Sequence, residues 1–149
     1  MSLETWSSLN PHDPTVAEIQ QLFEVVDRSL EDASKDVSPD LQFTVAYNAA
    51  LQLCTIALYS EGFETRRRSG GHHSVTINSL VETLGESKRK TYVHLSRCSN
   101  LRHLIEYERV GVVSARDADE LRQTTRKLRA DVLDWLKRNH SDLIPDKLK

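Results

Sequence analysis

The stretch "LQFTVAYNAALQLCTIALYSEG" (41–62) limits the fold more than any other part of the chain. Gln42, Asn48 and Gln52 are its few polar interruptions, and Ala46, Ala49, Ala50 and Ala57 leave room for neighbouring helices to approach closely. A helix that is apolar round most of its circumference is stable in water only when other elements surround it. The stretch therefore predicts the central helix of a bundle. Its ends are marked as well. In "SPDLQ", Ser38 stands at an N-cap with Pro39 at the first helical position, and Gly62 sits where a C-terminal cap belongs.

Four further segments carry helical signals. In "DPTVAEIQ", Asp13 reads as an N-cap and Pro14 as the first helical residue; Ile19, Leu22, Phe23, Val26 and Leu30 then follow at helical spacing to about Ala33. "SVTINSLVETLG" reads as a short helix capped by Ser74 and ended by Gly85, and "ESKRKTYVHLSRCSNLRHLIEYERVG" as a long one ended by Gly111. "SARDADELRQTTRKLRADVLDWLKRN" opens on a capping box, with Ser114 and with Asp117 in place of the usual glutamate. Its seam is Leu121, Leu128, Val132, Trp135 and Leu136. No segment alternates as a strand. The prediction is an all-α, up-and-down bundle of about five helices. It occupies 13–140, behind a flexible N-terminal arm (1–12, anchored by Trp6) and before a C-terminal tail (141–149).

A chain of 149 residues can bury a sizeable core without disulfides or metals. The opening "MSLETWSSLN" lacks the basic-then-apolar order of a signal peptide, and no run approaches the roughly 18 apolar residues of a membrane span. These features predict a cytoplasmic protein with no membrane contact. Cys54 and Cys98 belong to no CxxC pair and read as small buried hydrophobes, so neither a metal nor another cofactor is expected. Charge is divided along the chain. Residues 1–64 carry 11 acids against Arg28 and Lys35, a formal −9, and residues 65–149 carry 18 lysines and arginines against 11 acids, a formal +7. Mutual neutralisation of the halves is the expected outcome, with a basic face for a polyanion as the alternative.

The polar chemistry concentrates in "HLSRCSNLRHLIEY" (94–107). At 100° per residue, Val93, Arg97, Leu101 and Leu104 fall within about 80° of arc, with His94 and Ile105 beside them, and form the expected core stripe. Arg97, Asn100, His103 and Tyr107 then share a flank roughly 120° wide, while Arg102 and Glu106 point elsewhere. Arginine suits phosphate and histidine moves protons near neutral pH, so the flank suits RNA cleavage by attack of a 2′-hydroxyl, which requires no metal. On a straight helix the i to i+6 separation is about 9 Å along the axis, and a phosphate held between two copies of the helix would bridge it. From spacing alone a packing role is the commoner explanation: arginine stems lie on cores and pair with acids, and bundle histidines and tyrosines usually only pack.

The order of these segments resembles the HEPN family of small helical domains of prokaryotic toxin–antitoxin and defence systems. The likeness runs through "AYNAALQLCTIALYSEGF", "GGHHSVTINSLVETLG" and "LSRCSNLRHLIEYERVGVVSARDADELRQTTRKLRADVLDWL", about residues 15–138. The resemblance implies a metal-independent endoribonuclease or RNA-binding toxin-type protein, a homodimer with a composite cleft, and a cognate antitoxin or nucleotidyltransferase partner. Active members carry an arginine, four to six residues, then a histidine, which Arg97 and His103 satisfy; Asn100 and Tyr107 would orient them. Cys98 departs from the polar residue that usually follows that arginine. Members without the motif bind nucleotides or partner proteins, so an inactive interaction module is the alternative.

Two basic runs complete the picture. "TRRRSGGHHS" lacks the GxxxxGK[ST] pattern and follows a helix, which excludes a P-loop; Arg66, Arg67, Arg68, His72 and His73 are instead candidates for gripping RNA phosphates. "SKRK" (87–90) places cations at a helix start, against the helix dipole, and hints at an acidic partner or a phosphate.

Overall fold

Ser38 caps the central helix as its sequence demands: its side chain accepts from the Leu41 N–H, and α2 (Pro39–Ser60) follows with proline in its first turn. The structure, a computed structural model, describes residues 3–66, 72–107 and 111–149. Phe43, Ala46, Tyr47, Ala49, Ala50, Leu53, Cys54, Ile56 and Ala57 of α2 are all buried. α1 (Val16–Ala33) and α5 (Ala115–Asn139) pack most extensively against it, and α3 (His72–Leu84) and α4 (Arg89–Tyr107) cover the remaining side. The result is the all-α bundle of five helices. By length and composition α2 could cross a membrane, but most of its apolar window is buried within the fold, as befits a core helix.

The flanking helices obey their patterns, with shifted starts. α1 buries Ile19, Phe23, Val26 and Leu30. Its cap is Thr15, which accepts from the Glu18 N–H, rather than Asp13. The reason lies just upstream, where the His12 N–H still donates to the Gly62 carbonyl at 2.8 Å, so the helix starts only after that contact. α3 begins at His72, two residues before the expected Ser74 cap. Gly85 ends it in a left-handed conformation (φ 107°) that suits glycine, and a 3₁₀ turn (Glu86–Lys88) leads into α4. α5 carries the complete capping box, with both Ser114–Asp117 bonds at 3.0 Å, and buries every residue of its predicted seam.

Two expectations about the termini change. Leu9–Pro11 (β1) pairs antiparallel with Phe63–Thr65 (β2), Asn10 opposite Glu64, so the described part of the arm is fastened and the bundle carries a small sheet. Leu3 and Leu9 are buried with Leu58, and Trp6, Phe63 and Val75 pack against them. Three-residue strands are too short to alternate, and a proline is tolerated at a sheet edge. At the other end, Leu143, which closes a 3₁₀ turn (Ser141–Leu143), and Ile144 after it are buried, which ties the expected tail to the core.

Candidate functional site

α4 is oriented by Leu95 and Cys98, its two buried residues. Val93, assigned to the core stripe by the sequence, is 47 % exposed. Cys98 is buried, as its reading as a small hydrophobe implies, with burial pushing its thiol up to about 12. This turns the helix relative to the sequence-based projection. Leu95, Cys98 and Arg102 follow at i, i+3 and i+7, so Arg102 extends the core line instead of pointing away.

At Arg102 the core line becomes polar. A hollow of about 390 Å³ opens there, lined by Tyr47 of α2, His73 and Ser74 of α3, and Ser99, Arg102, His103, Glu106 and Tyr107 of α4. The Arg102 guanidinium stands over the Tyr47 ring at 5.5 Å and donates to Glu106 at 3.1 Å. Burial pushes the Tyr47 phenol up, while a hydrogen bond with Ser99 and the charge of Arg102 pull it back. The His103 and Tyr107 rings lie one turn apart, with centroids at 4.6 Å and planes inclined by 43°. Tyr107 is 67 % exposed, so the hollow opens to solvent at that end.

The four expected catalytic residues do share a side of α4, and all four are exposed. They are not gathered in one hollow. His103 and Tyr107 line the one just described; Arg97 lines another of about 410 Å³ with Lys90, Thr91, His94, Glu120, Gln123 and Thr124; Asn100 lines neither. His94 shares a hydrogen bond with Thr124 at 3.0 Å, and burial, then the charge of Arg97, holds its imidazole below the ordinary 6.5.

The basic runs resolve differently. Arg66 donates from Nε to Asn10 at 2.9 Å and so braces β1 against the chain after β2. His73 lines the α4 hollow, whereas the roles expected of Arg67, Arg68 and the His72 side chain lie outside the described residues. In "SKRK", Lys88 pairs with Asp131 at 2.6 Å and Arg89 with Glu86 at 2.7 Å, which gives both cations internal partners. Cys54 and Cys98 are free and buried. Among the described residues, no group of three or more histidine, cysteine or acidic side chains is arranged to hold a metal ion.

Sequence reasoning missed Tyr47, Ser74, Ser99, Arg102 and Glu106 as lining residues. A signal for the last three was present: Ser99, Arg102, His103 and Glu106 recur at i, i+3, i+4 and i+7, the spacing of one helical side. No family model, curated protein or solved structure matches the chain.

Proposed function

We propose that the protein is a metal-independent ribonuclease of HEPN-like type whose reacting phosphate sits in the hollow between α2, α3 and α4. The observation that supports this reading is that His73, Arg102 and His103 line one polar hollow. Two imidazoles supply what internal transfer requires. One takes the proton from a ribose 2′-hydroxyl as its oxygen attacks the adjacent phosphorus. The other gives a proton to the departing 5′-oxygen. The products are a 2′,3′-cyclic phosphate and a 5′-hydroxyl end, and each imidazole is left in the other's starting protonation state.

Arg102 is the cation for the phosphate. Its guanidinium has five donors, so the Glu106 bond leaves others for a phosphate oxygen, and its stacking on Tyr47 fixes the fork. Tyr107 orients His103 through the ring contact. Arg97 and Asn100 then act on RNA outside the hollow, from the same exposed side of α4. A homodimer formed through that side would bring two such helices together and let one copy's Arg97 approach the other's substrate.

The test is cleavage of single-stranded RNA in EDTA. The expected result is cyclic-phosphate ends, with His73→Ala and His103→Ala each slowing cleavage by about 10²–10⁴-fold while circular dichroism stays unchanged. Cleavage at the wild-type rate in both variants would remove this site assignment. The Glu106 bridge and the Tyr47 contact favour a second reading, in which Arg102 serves packing and the surface binds a partner protein or a nucleotide without reaction. That reading predicts no cleavage and retained binding in His103→Ala.

A further inference from the structure

A second hollow adjoins the first, and His73 lines both. It measures about 370 Å³, within the approximate 300–1,000 Å³ range of small-molecule sites. Gln52, Thr55 and Tyr59 of α2, Glu64 and Thr65 of β2, and Thr76 of α3 supply its polar groups, over the buried Leu51 and Leu58. Its place follows from the one polar line on α2. From Ala46 to Ser60, Asn48, Gln52, Thr55 and Tyr59 recur at i+3 and i+4 and are partly buried, while the other residues of that stretch are buried. Because His73 lines both, a base in the second hollow can belong to the nucleotide whose 3′-phosphate lies in the first.

We infer that this second hollow is a nucleobase subsite, selecting a base that presents an amino group beside a bare ring nitrogen (cytosine or adenine) over one that presents a carbonyl beside a ring N–H (uracil or guanine). The inference rests on the ribonuclease reading of the adjacent hollow. Glu64 is the reader. Its Oε2 lies 3.1 Å from His12 Nδ1, and a carboxylate has acceptor capacity beyond one such contact, which suits the N–H₂ of cytosine or adenine and opposes the carbonyl that uracil and guanine present at the same position. Gln52 offers an amide that both donates and accepts, so it complements the remaining edge. The apolar floor of Leu51 and Leu58 accepts the face of the ring.

The reader is held firmly. His12 lies between two carboxylates, 2.6 Å from Glu18 and 3.1 Å from Glu64, and its ring stacks on Tyr59 with centroids 4.2 Å apart. β1, α1, α2 and β2 thus converge on one imidazole that sets the positions of both Glu64 and Tyr59. His12 is a positioning residue here and does not touch the base.

Binding of nucleoside 3′-monophosphates to the full chain, followed by NMR and calorimetry, tests this without relying on cleavage. The wild type should bind CMP and AMP about tenfold more tightly than UMP and GMP, the discrimination of a single good base-edge contact. Glu64→Gln should abolish or reverse that preference, because an amide can donate to the uracil carbonyl. Gln52→Ala should weaken all the nucleotides bound there while leaving ribose 5-phosphate binding unchanged. Ribose 5-phosphate that perturbs Arg102 and His103, with no preference among the four nucleotides, would overturn the base subsite and leave the ribonuclease reading standing. No perturbation at Arg102 and His103 by any of these ligands would overturn both.

Discussion

Burial makes the two thiols of this protein unreactive at ordinary pH. Cys54 is fully enclosed in α2 and Cys98 faces the core from α4, and both thiols are pushed up to about 12. The thiolate is the nucleophile, so the folded chain should show no fast labelling by a disulfide reagent at pH 8, and two thiols should react at once in denaturant. Rapid labelling of Cys98 in the folded chain would mean that α4 opens readily. His94 supplies a pH test of the same helix. Folding holds its imidazole below 6.5, first through burial and then through Arg97, so between the folded and unfolded values the unfolded chain binds more protons. The resulting destabilisation is absent well above pH 6.5 and grows as pH falls through that value. Wild type should therefore lose stability relative to His94→Gln between pH 8 and pH 5 in urea titrations. A constant difference between the two proteins would contradict the assigned environment. Arg97→Ala should move the His94 titration upward in NMR, since it removes a neighbouring positive charge.

Helix starts and seams were legible wherever a local signal had no competitor. Ser38 with Pro39, the Ser114–Asp117 box, and the α5 seam from Leu121 to Leu136 all stand as the sequence implied. Each rests on contacts within a few residues. Asp13 with Pro14 carried the same kind of signal and lost, because the His12–Gly62 hydrogen bond and the β1–β2 pairing are contacts between distant segments. α4 failed for a different reason. Its apolar residues spread round the helix, so a stripe centred on Val93, Leu101 and Leu104 points away from Leu95 and Cys98, the residues that α4 buries. His103 and Tyr107 line the hollow with Arg102, and His73, named from the sequence as a phosphate-binding candidate in the basic loop, joins them from α3. A prediction at this scale concerns the α5 cap. Ser114→Ala removes one acceptor for the Asp117 N–H at the start of a helix that packs on α2, and should cost about 1 kcal/mol in urea unfolding. Ser114→Gly should cost only a few tenths. Equal losses in the two variants would show that something other than the cap bond is measured.

At the scale of the whole molecule, the acidic first half and the basic second half are joined between α1 and α5. Arg129 of α5 clamps Asp27 of α1 with two bonds, at 2.6 and 3.1 Å, and its guanidinium lies over the Phe23 ring at 5.6 Å. Arg122 donates to the Ala33 carbonyl at 3.0 Å and also pairs with Asp119, so it finishes the end of α1 while being held from its own helix. The charge division is thus used in part to bring the first and last helices together over α2. The two functions of Arg129 separate by salt. The ion pair is about half exposed on the Asp27 side, so it contributes at most about 1 kcal/mol and is weakened by screening. The guanidinium and methylenes over Phe23 shield apolar surface, which salt does not weaken. Asp27→Asn should therefore cost up to about 1 kcal/mol in low salt and much less in 1 M NaCl. Arg129→Ala should cost more than Asp27→Asn, and the excess should persist at high salt. Arg129→Met, which keeps an apolar stem, should recover much of that excess and none of the salt-sensitive part. If all three variants lost stability equally, and equally at both salt concentrations, the α1–α5 joint would owe nothing to charge.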